Sequence, residues 1–262
     1  MTDILDARHA SIAHGSRLDG KVALVTGAGG GLGRSVAQAL ASAGAQLVLN
    51  HRGPDNADLA DLEANVARLG PAPLTLTGDM SRGAEVEQLF ASTVEHCGKL
   101  DIVVHTPGRV TKTPFAETSD AEFEASLDTN VRAAFYVLRA AARRVGDGGR
   151  IITLSTSITG VTIPNYGIYA GHKAATEHYV RALAKELGPR GVTVNAVAPG
   201  PINSPFYFGV ENEESFRIAS RMSGAGRLGE WGEIAPLITF LCTPDAQWIT
   251  AQTVRINGGM TA

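Results

Sequence analysis

Lys21-Val-Ala-Leu-Val-Thr-Gly-Ala-Gly-Gly-Gly-Leu-Gly-Arg34 is the stretch on which the fold turns. Its first half is a short apolar run of the kind that forms a strand buried on both faces, as in a parallel sheet. Its second half is glycine-rich, and Ser35 to Ala43 continue as an Ala-rich helical segment closed by Gly44. Without side chains at Gly27, Gly31 and Gly33 the backbone turns tightly and can approach a pyrophosphate, whose charge the N-terminus of the following helix favours. A glycine cluster by itself fits a plain flexible turn equally well. The strand–turn–helix setting is what favours a nucleotide.

Outward from that stretch, short apolar runs recur at Leu47–Asn50, Leu74–Thr77, Leu100–His105, Arg150–Leu154, Val192–Val197 and Thr253–Ile256. Helical patterns lie between them. One, over 55–69, carries Leu59, Leu62, Val66 and Leu69, the next has Val86, Leu89, Phe90 and Val94, and a long one runs from Ala121 to Val145. Another opens at Tyr166, and Ile234 to Leu241 form the last. Strands alternate with helices, and no repeat or linker divides them, so the expectation is one α/β domain with a doubly wound parallel sheet over 20–262. Residues 1–19 are polar, without a sustained period, and read as a loosely held arm. Residues 204–226 lack a core pattern but carry Phe206, Tyr207, Phe208, Phe216 and Met222. That composition suits a lid with an apolar inner face, and an ordinary surface insertion equally.

Composition narrows the function classes. With 262 residues, 44% of them hydrophobic and 19% charged, the chain has ample material for a core. A net charge of -3 offers no electrostatic footprint for nucleic acid or an anionic membrane, and Arg139, Arg143 and Arg144 read as the wet face of a helix. The only cysteines, Cys97 and Cys242, lack zinc-like spacing, and the seven histidines form no His-x-x-x-His pair around a glutamate, so no metal is expected. No apolar run approaches the ~18 residues of a membrane span, and no hydrophobic signal core stands at the N-terminus. A cytoplasmic protein with free thiols is the expectation.

Tyr166-Gly-Ile-Tyr-Ala-Gly-His-Lys173 is where the chemistry concentrates. Residues four apart share a helix face, so the Tyr169 phenol and Lys173 ammonium can occupy one small volume. A neighbouring cation favours phenolate, which makes Tyr169 a candidate general acid and base. Ser155, Thr156 and Ser157 follow a strand, at the carboxyl edge where open α/β sheets place ligands. Asn130 sits inside the long helical pattern, where its low propensity suggests an interrupted backbone ladder. His51 lies 18 positions beyond Gly33, where an NAD site would offer an acid to the ribose hydroxyls; no acid is there, and Arg52 can instead pair with a 2′-phosphate. The pattern points to NADP over NAD. Asp79, past the third strand, fits either an adenine amino group or the cap of the next helix.

Taken together these motifs resemble the short-chain dehydrogenase/reductase family, over essentially all of Lys21 to Gly259. The chain shows Thr26-Gly27-x-x-x-Gly31-x-Gly33, Asp79, Asn130 and Tyr169-x-x-x-Lys173 in order, then Asn195-Ala-Val-Ala-Pro199-Gly200, Arg227-Leu-Gly229 and Asn257-Gly258-Gly259. The resemblance implies a single Rossmann-type domain and an Asn–Ser–Tyr–Lys catalytic set that interconverts a ketone and a secondary alcohol. Tyr169 would exchange the proton, Lys173 would lower its pKa and bind the nicotinamide ribose, and Asn130 would hold a water in a proton relay. Gly27, Gly31, Leu32 and Gly33 would hold the pyrophosphate, and His51, Arg52, Asp79 and Met80 the adenosine end. Gly108, Pro199, Gly200, Ile202 and Ser204 would flank the nicotinamide. A homo-oligomer, tetramer or dimer, paired through the long helices holding Asn130 and Tyr169, is also implied. The substrate stays open among 3-oxoacyl, cyclic-ketone and polyol types, and a catalytically silent dinucleotide sensor on the same fold is the other class to weigh.

Some positions depart from the family pattern. His105-Thr106-Pro107-Gly108 stands where the family has Asn-Asn-Ala-Gly, and Trp231 where it often has proline. For the catalytic hydroxyl, the usual spacing before Tyr169 lands on Thr156, alignment on Gly160 favours Ser157, and Ser155 also stays open.

Overall fold

The structure, a computed structural model, describes residues 17–53 and 57–262. Seven strands, β1 (Val22–Thr26), β2 (Gln46–His51), β3 (Leu74–Thr77), β4 (Ile102–His105), β5 (Arg150–Leu154), β6 (Thr193–Pro199) and β7 (Thr253–Ile256), form one sheet in the order β3-β2-β1-β4-β5-β6-β7. Every pairing is parallel. Helices must therefore cover both faces, and the central strands are buried end to end, as the apolar runs VALVT and IVVH demand.

On one face α1 (Gly31–Ser42), α2 (Ala57–Leu69) and α9 (Trp231–Cys242) pack through Val36, Leu40, Leu62, Val66, Ile234 and Ile238 onto Val25, Leu49 and Val104. The other face carries α3 (Gly83–Cys97), α5 (Ala133–Arg144) and α6 (Gly167–Leu187), packed through Phe90, Val137 and Val180 onto Leu24, Val103 and Ile151. Alternate residues of β1 thus serve different cores, the period-two consequence of the pleat. Each fully buried Leu or Val contributes about 1.5–3 kcal/mol relative to exposure.

The chain runs outward from β1 to β3, then crosses back to place β4 on the other side of β1. That reversal opens a crevice beyond the carboxyl ends of β1 and β4, the place where doubly wound sheets bind ligands. The loops after β1, β4, β5 and β6 all empty into it.

The structure refines three expectations. The pattern over 121–145 is not one helix: α4 (Asp120–Leu127) and α5 are joined by a π-helical turn, Asp128–Arg132, centred on Asn130. The 204–226 segment contains two helices, α7 (Pro205–Phe208) and α8 (Glu213–Met222), capped by Ser204 and Asn212. The expected arm over 1–19 lies outside the described residues up to 16, and its end is not loose, since Leu18 is 1% exposed within the core and bonded to Ala43. Arg143 and Arg144 lie on the outer side of α5, both hydrogen-bonded to Glu87. No helix among the described residues is long and apolar enough to cross a membrane.

Candidate active site

A cleft of about 710 Å3 occupies the crevice. One end is the glycine loop. Gly27 takes φ +73°, which favours glycine, and a Cβ there would meet Thr106 Oγ1 at 2.9 Å. A Cβ on Gly33 would stand 2.2 Å from the Gly27 carbonyl, so the loop closes against α1 with no room for a side chain. The first turn of α1 contains no acidic residue, leaving its N-terminal field open to an anion. This cradle fits a dinucleotide pyrophosphate.

Of the candidate site residues, Gly27, Gly31, Leu32, Gly33, Gly108, Ser155, Thr156, Ser157, Tyr169, Lys173, Pro199, Gly200, Ile202 and Ser204 line the cleft, joined by Phe206, Tyr207 and Met222 of the 204–226 segment. His51, Arg52, Asp79 and Met80 stand apart from it, at the ends of β2 and β3. The His51 ring is hydrogen-bonded to Thr77 at 3.0 Å, and Arg52 is exposed. Burial works against the Asp79 carboxylate, but the Ser81 N–H and hydroxyl, with the nearby charges of Arg52 and Arg82, outweigh it and hold the group below its ordinary pKa. A guanidinium and a carboxylate therefore share the rim where an adenosine would end. Trp231 fills space over the helix start, its indole 2.7 Å from where a Cβ on Gly31 would be.

The departure after β4 is accommodated by the loop itself. The Thr106 hydroxyl donates to the Thr26 carbonyl at 2.8 Å, tying this loop to the glycine turn. His105 Nδ1 lies 2.8 Å from the Thr26 hydroxyl, while its buried Nε2 has no protein partner. Burial, and then the Lys173 charge, push the imidazole down to about 3, so it is neutral.

At the other end of the cleft Tyr169 and Lys173 project from the first turns of α6, both buried. Lys173 Nζ donates to the Leu154 carbonyl at 2.9 Å and the Pro107 carbonyl at 3.2 Å. Burial lowers its pKa to about 8, leaving a cation at neutral pH. Tyr169 differs from the expectation. Burial pushes its phenol up to about 12, with the Thr156 hydroxyl opposing the rise.

The three neighbouring hydroxyls have different partners. Thr156 Oγ1 accepts from the Ile158 N–H at 3.4 Å, and its hydroxyl opposes the rise in the Tyr169 pKa. Ser157 donates to the Ala198 carbonyl at 2.9 Å and accepts from Asn257 Nδ2 at 3.0 Å. Ser155 donates to Glu177 at 2.5 Å, and Thr159 donates to the same carboxylate oxygen at 2.7 Å. Glu177 was not singled out by sequence, although it follows Lys173 by one helical turn on the same face.

Asn130 lies behind this group, 1% exposed. Its side chain accepts from the Arg109 N–H at 3.0 Å and donates to the Arg109 carbonyl at 2.8 Å, and its own carbonyl accepts from Thr176. A Cβ on Gly108 would fall 3.4 Å from Lys173 Nζ and 3.7 Å from Asn130 Oδ1, so both border the same glycine.

A family profile described as enoyl-(acyl carrier protein) reductase matches residues 27–261. A short-chain type dehydrogenase/reductase of Picea abies is 38% identical over 253 residues, covering 92% of this chain and 93% of that protein. The hydroxynaphthalene reductase-like protein Arp2 of Metarhizium brunneum is 33% identical, covering 92% and 95%. Among solved structures, a putative dehydrogenase from Burkholderia cenocepacia with bound NADP superposes with a TM-score of 0.88 at 35% identity, covering 97% of this chain and 98% of that one. Sequence, sheet order and site geometry converge, and the chain belongs to the short-chain dehydrogenase/reductase family of oxidoreductases.

Proposed function

We propose that this enzyme is an NADP-dependent ketoreductase that interconverts a cyclic or aromatic ketone and its secondary alcohol. The observation that carries the reading is the convergence of Tyr169, Thr156 and Lys173 at one end of a cleft whose other end is the glycine cradle. Bound NADPH would supply the hydride to the carbonyl carbon. Tyr169 gives its proton to the carbonyl oxygen, and the Thr156 hydroxyl donates to the same oxygen as negative charge gathers there. Lys173 would bind the nicotinamide ribose, and Asn130, across Gly108 from it, would anchor a water through which Tyr169 regains its proton. In the alcohol-to-ketone direction Tyr169 accepts the proton instead. Positive charge at Arg52 and the missing acid at His51 support NADP over NAD.

Phe206, Tyr207, Ile163 and Met222 line the carbonyl end of the cleft and suit an apolar ring more than a polyol. The likeness to a hydroxynaphthalene reductase-like protein supports the same class. Assembly through α4–α6 belongs to this reading, since Phe123 and Phe135 are 39% and 44% exposed there. Free thiols at Cys97 and Cys242 agree with a cytoplasmic setting.

The test is a panel of cyclic ketones, oxoacyl thioesters, polyols and secondary alcohols, followed at the reduced-nicotinamide absorbance with NADPH and NADH side by side. Turnover of cyclic ketones that disappears in Tyr169→Phe supports the reading. Tight NADPH binding with no turnover across the panel sinks it in favour of a dinucleotide sensor, and a clear preference for NADH removes the role given to Arg52.

A further inference from the structure

Lys112 lies in the loop after β4, next to Thr113, whose N–H donates to the Asn165 carbonyl at 2.9 Å and whose hydroxyl bonds Glu122. Its base is therefore fixed to the body of the domain. Its ammonium reaches the 204–226 segment, donating to Glu211 Oε2 at 2.6 Å and to Ser215 Oγ at 3.3 Å. The Glu211 side chain is 4% exposed and that of Lys112 24%, so the pair is largely withdrawn from water. The N–H groups of Tyr207 and Phe208 go to Ser204, the cap of the segment's own first helix, whereas the bonds from Lys112 join 205–222 to the loop after β4. All three residues line the cleft. Lys112 Nζ also sits 5.7 Å from the centre of the Tyr166 ring, which packs against Tyr169 with centroids 6.5 Å apart. The tie thus crosses the cleft beside the catalytic phenol.

We propose that Lys112 is a specificity-determining residue: through Glu211 it fastens the 205–222 segment over the carbonyl end of the cleft and so limits the size of the ketone accepted there. The inference rests on the ketoreductase reading for its substrate. A Glu211 carboxylate left without its cation is a buried, unpaired charge, which drives the segment outward and lets water in. The conservative change Lys112→Arg keeps the charge, and reversing both partners restores a pair.

The experiment uses the full chain saturated with NADPH and has two readouts. The first is the rate of limited cleavage at Arg217 and Arg221, within α8, by an arginine-specific protease. The second is the ratio of kcat/KM for cyclohexanone to that for its phenyl-substituted derivative. Lys112→Met and Glu211→Lys should each speed cleavage about tenfold and shift the ratio about fivefold or more toward the larger ketone. Lys112→Arg, and Lys112→Glu combined with Glu211→Lys, should return both toward the parent values. Unchanged cleavage in Lys112→Met overturns the tie, and faster cleavage with an unchanged ratio overturns the size limit. If the parent enzyme reduces no ketone, the ketoreductase reading and the size limit fall together, while cleavage still decides whether Lys112 holds the segment.

Discussion

The Thr156 hydroxyl acts on the Tyr169 phenol, opposing the rise in its pKa, while Ser157, one residue on, is turned to the Ala198 carbonyl and to Asn257. The two hydroxyls should therefore respond differently to removal. Thr156→Val keeps the shape and loses the donor, and should lower kcat roughly 10²-fold, the size seen when one positioned donor to a developing oxyanion is removed. Ser157→Ala leaves Asn257 and Ala198 short of a partner and should cost about 1–3 kcal/mol of stability, with much less effect on kcat. Steady-state kinetics and urea unfolding of both variants check the assignment. A larger kcat loss in Ser157→Ala would reverse it.

How much of this was legible in the sequence depends on how far apart the interacting residues are. The sheet was readable because each buried strand announces itself locally, and the glycine loop because Gly27 and Gly33 obey a steric demand confined to a few residues. The choice among Ser155, Thr156 and Ser157 was not. Neighbours on an extended backbone point opposite ways, and which one faces Tyr169 is fixed by the Ser155 N–H bonding Val197 on β6, 42 positions away. The clamp at Glu177 carried a faint local signal, its spacing from Lys173. The pairing of Lys112 with Glu211 carried none, because residues 99 apart in the chain meet only once the segment folds over the cleft.

Glu177 fixes the loop on both sides of Thr156 by accepting from Ser155 and Thr159 on one oxygen. Glu177→Gln retains an acceptor oxygen and should be mild. Glu177→Leu strands the buried Ser155 hydroxyl and frees the loop, costing about 1–3 kcal/mol. Its kcat should fall roughly tenfold through misplacement of Thr156, with NADPH affinity close to the parent's. Calorimetric NADPH titration beside kinetics separates these effects: a matching loss of affinity would mean that Glu177 supports the whole cleft and not the hydroxyl loop alone.

Arg52 shares its rim with Asp79, whose carboxylate it helps to hold ionised. Replacing it with aspartate puts a second negative charge where a 2′-phosphate would arrive. Arg52→Asp should weaken NADPH binding at least tenfold and affect NADH little, because a charge-assisted bond to phosphate becomes a repulsion. Titrating both cofactors by nucleotide fluorescence measures the ratio directly, and equal losses for the two would assign Arg52 to the fold of the β2 turn.

His105 makes acid stability a readout of the loop after β4. Its folded pKa is pushed down to about 3 by burial and the Lys173 charge, against an ordinary 6.5. Between those values the unfolded chain binds a proton that the folded one refuses, so stability rises with pH across the window. The contribution is fully present above 6.5 and is lost progressively as pH falls toward 3, amounting to about 2 kcal/mol at pH 5. His105→Asn removes the titrating group and can still meet the Thr26 hydroxyl. The variant should be less stable than the parent at pH 7, because it is smaller than the imidazole, yet lose about 2 kcal/mol less between pH 7 and pH 5. Urea unfolding at the two pH values gives that difference, and identical slopes for parent and variant would show that the imidazole is protonated within the fold.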